Sequence, residues 1–199
     1  FAHGLRDISG RGVNGSATAV TLSGRGADFS ASNSGIYLPT GSLNSTGDVT
    51  VVVHAMARSS GASGVGRYID TGTSGGVGYF LSRYSSTENL LVGGTVDYVI
   101  PSSPVIRQGV FQTLLFTVRG PVRQVWVDGW LVDNSTGFGS LASSASVVPA
   151  IGNRSGGAAD RTFDGVISAV VVLSKGVPAG EARELSRNPW QLFAPEQVN

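Results

Sequence analysis

The chain has no cysteine among its 199 residues. That excludes a disulfide framework and every thiolate metal site, and it fits assembly in a reducing cytoplasm. Charge of one sign is missing too: Lys and Arg total 14 against 13 Asp and Glu, a net charge of +1. Lysine is nearly absent, with Lys175 alone beside the arginines. Without a basic block or stripe, nucleic-acid binding has nothing to rest on. Long hydrophobic runs are lacking as well. The longest, residues 166–173, falls far short of the roughly 20 residues of a spanning helix, so no membrane insertion is expected. Residues 1–7 hold no apolar h-region, so no secretion signal is expected in that stretch. Finally, glutamate is scarce: Glu88, Glu181, Glu184 and Glu196 are the full set.

What is present is glycine, at 29 residues, together with many Ser and Thr spread between short β-rich runs. Such spacing reads as tight turns rather than disorder. A chain of this length buries roughly 70% of its unfolded surface and needs no covalent staple. Strands are expected at residues 18–22, 27–29, 35–38, 48–58, 67–71, 78–84, 90–92, 96–100, 147–152 and 163–173. In the 48–58 run the odd positions Val49, Val51, Val53, Ala55 and Ala57 are all apolar. The even positions mix Thr50, Val52, His54, Met56 and Arg58, which predicts a second, partly covered face. One helix stands out, at 178–187. It has Pro178 near the first turn, Glu181 early and Arg187 late, and Asn188-Pro189 stops it. Many short strands with one terminal helix predict an all-β antiparallel sandwich.

The strongest local signal is at 111–132, where two apolar runs meet at Asp128-Gly129. That dipeptide suits a type I′ hairpin turn. The turn pairs Val127 with Trp130, Trp126 with Leu131 and Val125 with Val132. One face then carries Val125, Val127, Trp130 and Val132 and is expected in the core. The other carries Gln124, Trp126, Leu131 and Asp133; it is either covered or a binding face.

The order of these pieces is similar to that of laminin G-like modules of the concanavalin A-like lectin/glucanase superfamily. The matching pieces are Gly-Arg-Gly-Ala-Asp-Phe at 24–29, Asp-Val-Thr-Val-Val-Val at 48–53 and the 111–129 hairpin. Ile-Gly-Asn at 151–153 with Thr-Phe-Asp-Gly-Val-Ile-Ser at 162–168, and then the 177–185 helix, complete the set. The resemblance implies a jelly roll of two large antiparallel sheets over residues 18–187, with a leading segment at 1–17 and a tail at 188–199 that packs on the body or a neighbour. The Asp-Ile-Ser-Gly-Arg-Gly run at 7–12 and the Asn-Pro-Trp-Gln-Leu-Phe run at 188–193 resemble the ends of such modules in tailed bacteriophages. They imply a virion component, as a head decoration or a tail or fibre protein. It would be assembled in the bacterial cytoplasm and be multimeric among other capsid or tail proteins. A bacterial cell surface is the alternative location.

Catalysis is not expected. Glycoside hydrolysis needs two carboxylates about 5–10 Å apart, one of them protonated. The family's glucanases carry them as Glu-x-Asp-x-x-Glu, a pattern this chain lacks. No Gly-x-Ser-x-Gly elbow joins a strand to a helix, and His54 reads as a structural strand histidine. No cofactor is expected. Calcium would draw on Asp70 with Thr71, or Asp160 with Asn153, and no dense acidic cluster supports it. Two binding modes follow. In the first, Trp190, Leu192 and Phe193 dock on partner proteins. In the second, Trp126 stacks on a sugar, with Gln124, Asp133, Tyr84, Arg83 and Tyr79 around it. The expected function is therefore a non-catalytic structural and binding module. A carbohydrate-binding adhesin is the alternative, and a glycoside hydrolase the remaining one.

Overall fold

The computed structural model describes residues 11–30, 32–44, 47–72, 78–84, 89–93, 98–100, 106–136, 141, 144–155 and 160–193. Its strands are β1 (Ser16–Thr18), β2 (Thr21–Ser23), β3 (Gly26–Phe29), β4 (Gly35–Tyr37), β5 (Val49–Ala57), β6 (Arg67–Asp70), β7 (Phe80–Tyr84), β8 (Asn89–Gly93) and β9 (Tyr98–Val99). Then follow β10 (Phe111–Arg119), β11 (Val122–Val127), β12 (Trp130–Thr136), β13 (Ala150–Ile151) and β14 (Gly165–Leu173). Helix α1 (Ala179–Arg187) and a 3-10 turn (Pro189–Phe193) follow. Among the described residues these form two seven-stranded sheets, ordered β1-β4-β13-β6-β7-β8-β9 and β12-β11-β10-β5-β14-β3-β2. Every described pairing is antiparallel. The fold is an all-β, two-sheet sandwich with one short C-terminal helix, in keeping with a concanavalin A-like jelly roll.

Strand β5 sits at the centre of the second sheet, between β10 and β14. Its odd residues, Val49 to Ala57, are buried in the inter-sheet core with Phe29, Tyr68, Leu81, Phe116, Phe163 and Ile167. Its even residues face outward, and the helix covers that side. Val52, Leu115 and Trp126 from three adjacent strands form a smaller cluster with Val177, Ala182 and Leu185. Ala182, Leu185 and Ser186 fall at the i, i+3, i+4 spacing of one helical face, so α1 can lie flat on the sheet. Two threonines pin its approach. The Thr50 and Thr117 hydroxyls stand 2.8 Å apart, and the Val177 N–H donates to both, at 3.1 and 3.2 Å.

Three expectations are corrected. The strand expected at 18–22 is two strands in different sheets: β1 ends at Thr18, β2 begins at Thr21, and the chain crosses between them at Ala19, in the left-handed region at φ 49°. The hairpin register holds for Val127–Trp130 and Trp126–Leu131, but a bulge then places Asp133, not Val132, opposite Val125. One extra residue in β12 reverses the alternation from there on. Asp133 therefore turns inward and pairs with Arg123 at 2.8 Å, both side chains nearly buried. Lastly, Trp130 is not core: it is 75% exposed. Alternation assigns the side of the sheet but not the depth, and Trp130 stands at the hairpin tip beyond the covered part of the sandwich.

Candidate functional site

The residues expected around a sugar are largely withdrawn from solvent. Trp126 is 7% exposed under α1, its Nε1–H buried without a hydrogen-bond partner. The mixed hairpin face is thus covered at Trp126, which serves as scaffold there, while Leu131 on the same face is 44% exposed. Tyr79 and Arg83 are fully buried, with the side chains of Tyr79 and Leu81 in the core. Positions 79, 81 and 83 share one side of the strand, so Arg83 follows Leu81 inward. Gln124 is half-buried and donates to Asn134 Oδ1 across the hairpin at 3.3 Å. Asp133 is committed to Arg123 and to the Ser135 hydroxyl, which donates to it at 3.1 Å. The Tyr84 backbone lies in β7; its side chain is outside the described residues, as are residues 1–10 and 194–199. The five described side chains are not brought together on one open surface.

The expected docking residues are exposed. Trp190 is 48% exposed, and Leu192 and Phe193 are also at the surface. Trp190 and Phe193 form a tilted pair, with ring centroids 6.0 Å apart. Beneath them Trp190 meets His54 edge-on at 5.4 Å, and His54 stacks on Phe111 at 5.3 Å. The His54 Nδ1 lies 3.0 Å from Thr113 Oγ1. Burial lowers the His54 pKa below the ordinary imidazole value, and the Asp128 carboxylate acts weakly the other way. The 3-10 turn is thus an apolar strap on the outer face of the second sheet, continuing the cover that α1 begins.

The hairpin tip is the feature that patterning did not reveal as a site. Asp128 and Gly129 have φ of 50° and 84°, as a type I′ turn requires. The Asp128 carboxylate accepts from the Thr113 N–H at 2.8 Å, Arg107 at 3.0 Å and the Gln112 amide at 3.1 Å. The Asp128 N–H donates to Thr113 O at 3.0 Å, and the Gly129 N–H to Ser186 Oγ at 3.1 Å. The Arg187 stem lies against Gly129 so closely that any Cβ there would collide with it. The Asp-Gly dipeptide was the available signal for the turn; its buttresses come from distant segments.

The acids elsewhere are held in structural contacts. Arg58 bridges Asp28, at 2.6 Å, and Asp164, at 3.0 Å, and this guanidinium holds the Asp28 carboxyl below its ordinary range. Asp160 pairs with Arg154, Glu181 with Lys175 and Glu184 with Arg187. Asp48 accepts from the Gly120 N–H. Asp70 is the one described carboxyl pushed above its ordinary range, by burial, with Arg67 opposing; it is 3% exposed. It accepts from the Gly72 N–H, and Ser155 donates to Gly72 O beside it. Among the described residues no group of three or more His, Asp or Glu could hold a metal ion. No described helix is long and apolar enough to cross a membrane.

Two sheets, a covering helix and surface aromatics define a lectin-like sandwich module. A laminin G-type profile of the Concanavalin A-like lectin/glucanases superfamily matches residues 30–182, and the chain belongs to that family. No curated protein matches the sequence. Among solved structures, domain 4 of AbnA, an extracellular arabinanase of Geobacillus stearothermophilus solved with arabinotriose, is 18% identical with a TM-score of 0.69. The match covers 93% of this chain and 94% of that one. The binding domain of Paraclostridial Mosquitocidal Protein 1 is 16% identical, TM-score 0.65, over 93% of this chain and 49% of that one. Trypanosoma rangeli sialidase is 15% identical, TM-score 0.66, over 90% of this chain and 30% of that enzyme. At these identities the likeness is one of fold.

Proposed function

We propose that the protein is a non-catalytic carbohydrate-binding module. The observation that carries this reading is how its polar and apolar groups are distributed. The described acids are tied into ion pairs and backbone contacts, while Trp130, Trp190 and Phe193 stand exposed. A glycosidase needs a raised, accessible acid beside an ionised partner; Asp70 is raised but sealed. Exposed aromatic rings have an apolar face for a sugar's C–H face, and need no chemistry. That an arabinanase domain of this fold was solved with arabinotriose supports a sugar as the ligand. A single shallow site of this kind binds on the order of millimolar, about −4 kcal/mol, and repeated copies raise avidity by about 10²–10⁴. The test is an immobilised oligosaccharide array that includes arabinotriose, with reducing-sugar release followed on the same ligands. Selective retention without release is expected; release of reducing ends would overturn the non-catalytic reading.

A second reading, favoured by the exposed Trp190, Leu192 and Phe193, is a structural part of a tailed-phage virion. The strap would then anchor the module to a capsid or tail neighbour. Mass spectrometry of purified particles tests it, and absence from the particle rejects it.

A further inference from the structure

The hairpin tip combines a rigid backbone with a bare ring. Asp128 is fixed by contacts from Thr113, Arg107 and Gln112, and Gly129 by Ser186 and the Arg187 stem. Immediately after them Trp130 is 75% exposed, well above the other described large apolar residues, such as Trp190 at 48%. A ring carried on a backbone already ordered loses little further freedom when a ligand settles on it. The surroundings identify the ligand class. Arg107 and Arg187 are more than half exposed at the turn, and Asp128 and Glu184 lie beside them. A stable protein interface is centred on a desolvated apolar patch built from many residues. One bare ring on a turn held by charged side chains is a poor match for that. It suits a sugar, whose C–H face covers the indole while its hydroxyls stay in water.

We propose that Trp130 is a sugar-stacking subsite on the Asp128-Gly129 turn, which Arg107 and Arg187 brace. This rests on the carbohydrate-binding reading above. It assigns recognition to the tip of the hairpin, whereas Trp126, four positions earlier, holds the helix.

The test compares wild type, Trp130→Ala, Trp130→Phe and Leu22→Ser on the oligosaccharide array, with the best-retained oligosaccharide then titrated by calorimetry. Leu22 is another exposed apolar residue, on the far edge of the same sheet. Trp130→Ala should weaken binding at least about tenfold, as truncating a central aromatic anchor does. Trp130→Phe should recover part of it, and Leu22→Ser should match wild type. If Trp130→Ala stays within about twofold of wild type, the subsite is wrong while the module's function stands. Equal losses in Trp130→Ala and Leu22→Ser would show nonspecific adhesion and also reject the subsite. If wild type binds nothing on the array, both readings fall. Unchanged thermal unfolding of Trp130→Ala would show that lost binding is not lost folding.

Discussion

Trp126 and Trp130 lie on one hairpin, on either side of its turn, and the molecule treats them in opposite ways. Trp126 is 7% exposed and packs with Val52, Leu115, Ala182 and Leu185, at the join between the sheet and α1. Trp130 is 75% exposed, although its partner Val127 lies in the core. The residue type does not separate them, and the strand alternation, which puts Trp130 on the core face, ranks them the wrong way round. Trp126 is buried because the chain, some fifty residues later, lays a helix across it. Trp130 stays bare because the sandwich ends where the turn begins. The middle of the hairpin is therefore held by cover, and the tip by hydrogen bonds to Asp128 and Gly129.

The sharpest break of that comparison is truncation at each site. Trp126→Ala removes the ring beneath α1 and should cost about 3–5 kcal/mol, the range for large buried aromatics. Trp130→Ala should stay within about 0.5 kcal/mol, as for exposed positions away from structural features. Urea unfolding midpoints measure both. Equal losses would mean that the tip is part of the core after all. Trp126→Phe adds a finer point. It keeps most of the apolar contact and removes an indole N–H that has no partner, so its cost should fall well below that of Trp126→Ala.

The sandwich was legible because its signals are local. Val49, Val51 and Val53 alternate, Asp128-Gly129 marks the turn, and 178–187 shows a start and a stop of a helix. The covered face of β5 could also be anticipated from Val52 and Met56 among its even residues. What covers it could not, since a helix pattern gives the apolar stripe and not the surface it meets. The bulge at Val132 left no mark in the alternation, so Asp133 was placed on the wrong face. Arg83, expected beside a sugar, is fully buried; arginine is rarely buried, and only its parity with Leu81 points inward. The candidate site was the least legible part. Arg107, Gln112 and Ser186 are remote in sequence, and only the fold gathers them at Asp128 and Gly129.

A smaller effect separates the two means of support. Gly129→Ala forces a side chain onto a residue at φ 84° and into Arg187. Gly120→Ala, at the turn between β10 and β11, meets positive φ of 56° with nothing near the added carbon. Positive-φ strain costs on the order of 1–3 kcal/mol, and Gly129→Ala should exceed Gly120→Ala because it also displaces Arg187. Thermal unfolding gives the difference. Near-UV circular dichroism should report a change around Trp130 in Gly129→Ala alone. Matching costs would show that the Arg187 contact does not brace the tip.

The third tryptophan lies between the two extremes, and acid should shift it. Trp190 is 48% exposed and rests edge-on against His54. Burial holds the His54 pKa below its ordinary value of 6.5, so the folded protein binds fewer protons here than the unfolded chain. The sign follows from linkage: stability rises with pH between the folded and unfolded pKa values. The strap is thus at full strength above about pH 6.5 and weakens as pH falls below it, until the folded pKa is passed. Asp28, held low by Arg58, titrates beneath this window. Protonated His54 seeks water, which loosens its stack on Phe111 and the Trp190 contact. In a Trp130→Phe background, Trp190 emission should shift to the red on going from neutral to mildly acidic buffer, while Trp126 stays fixed under α1. His54→Phe should remove the shift and leave a packed strap at both pH values. An identical acid response in His54→Phe would place the titrating group elsewhere. Its absence would leave Trp190 supported through the imidazole, by a cover weaker than the helix and unlike the hydrogen-bonded tip.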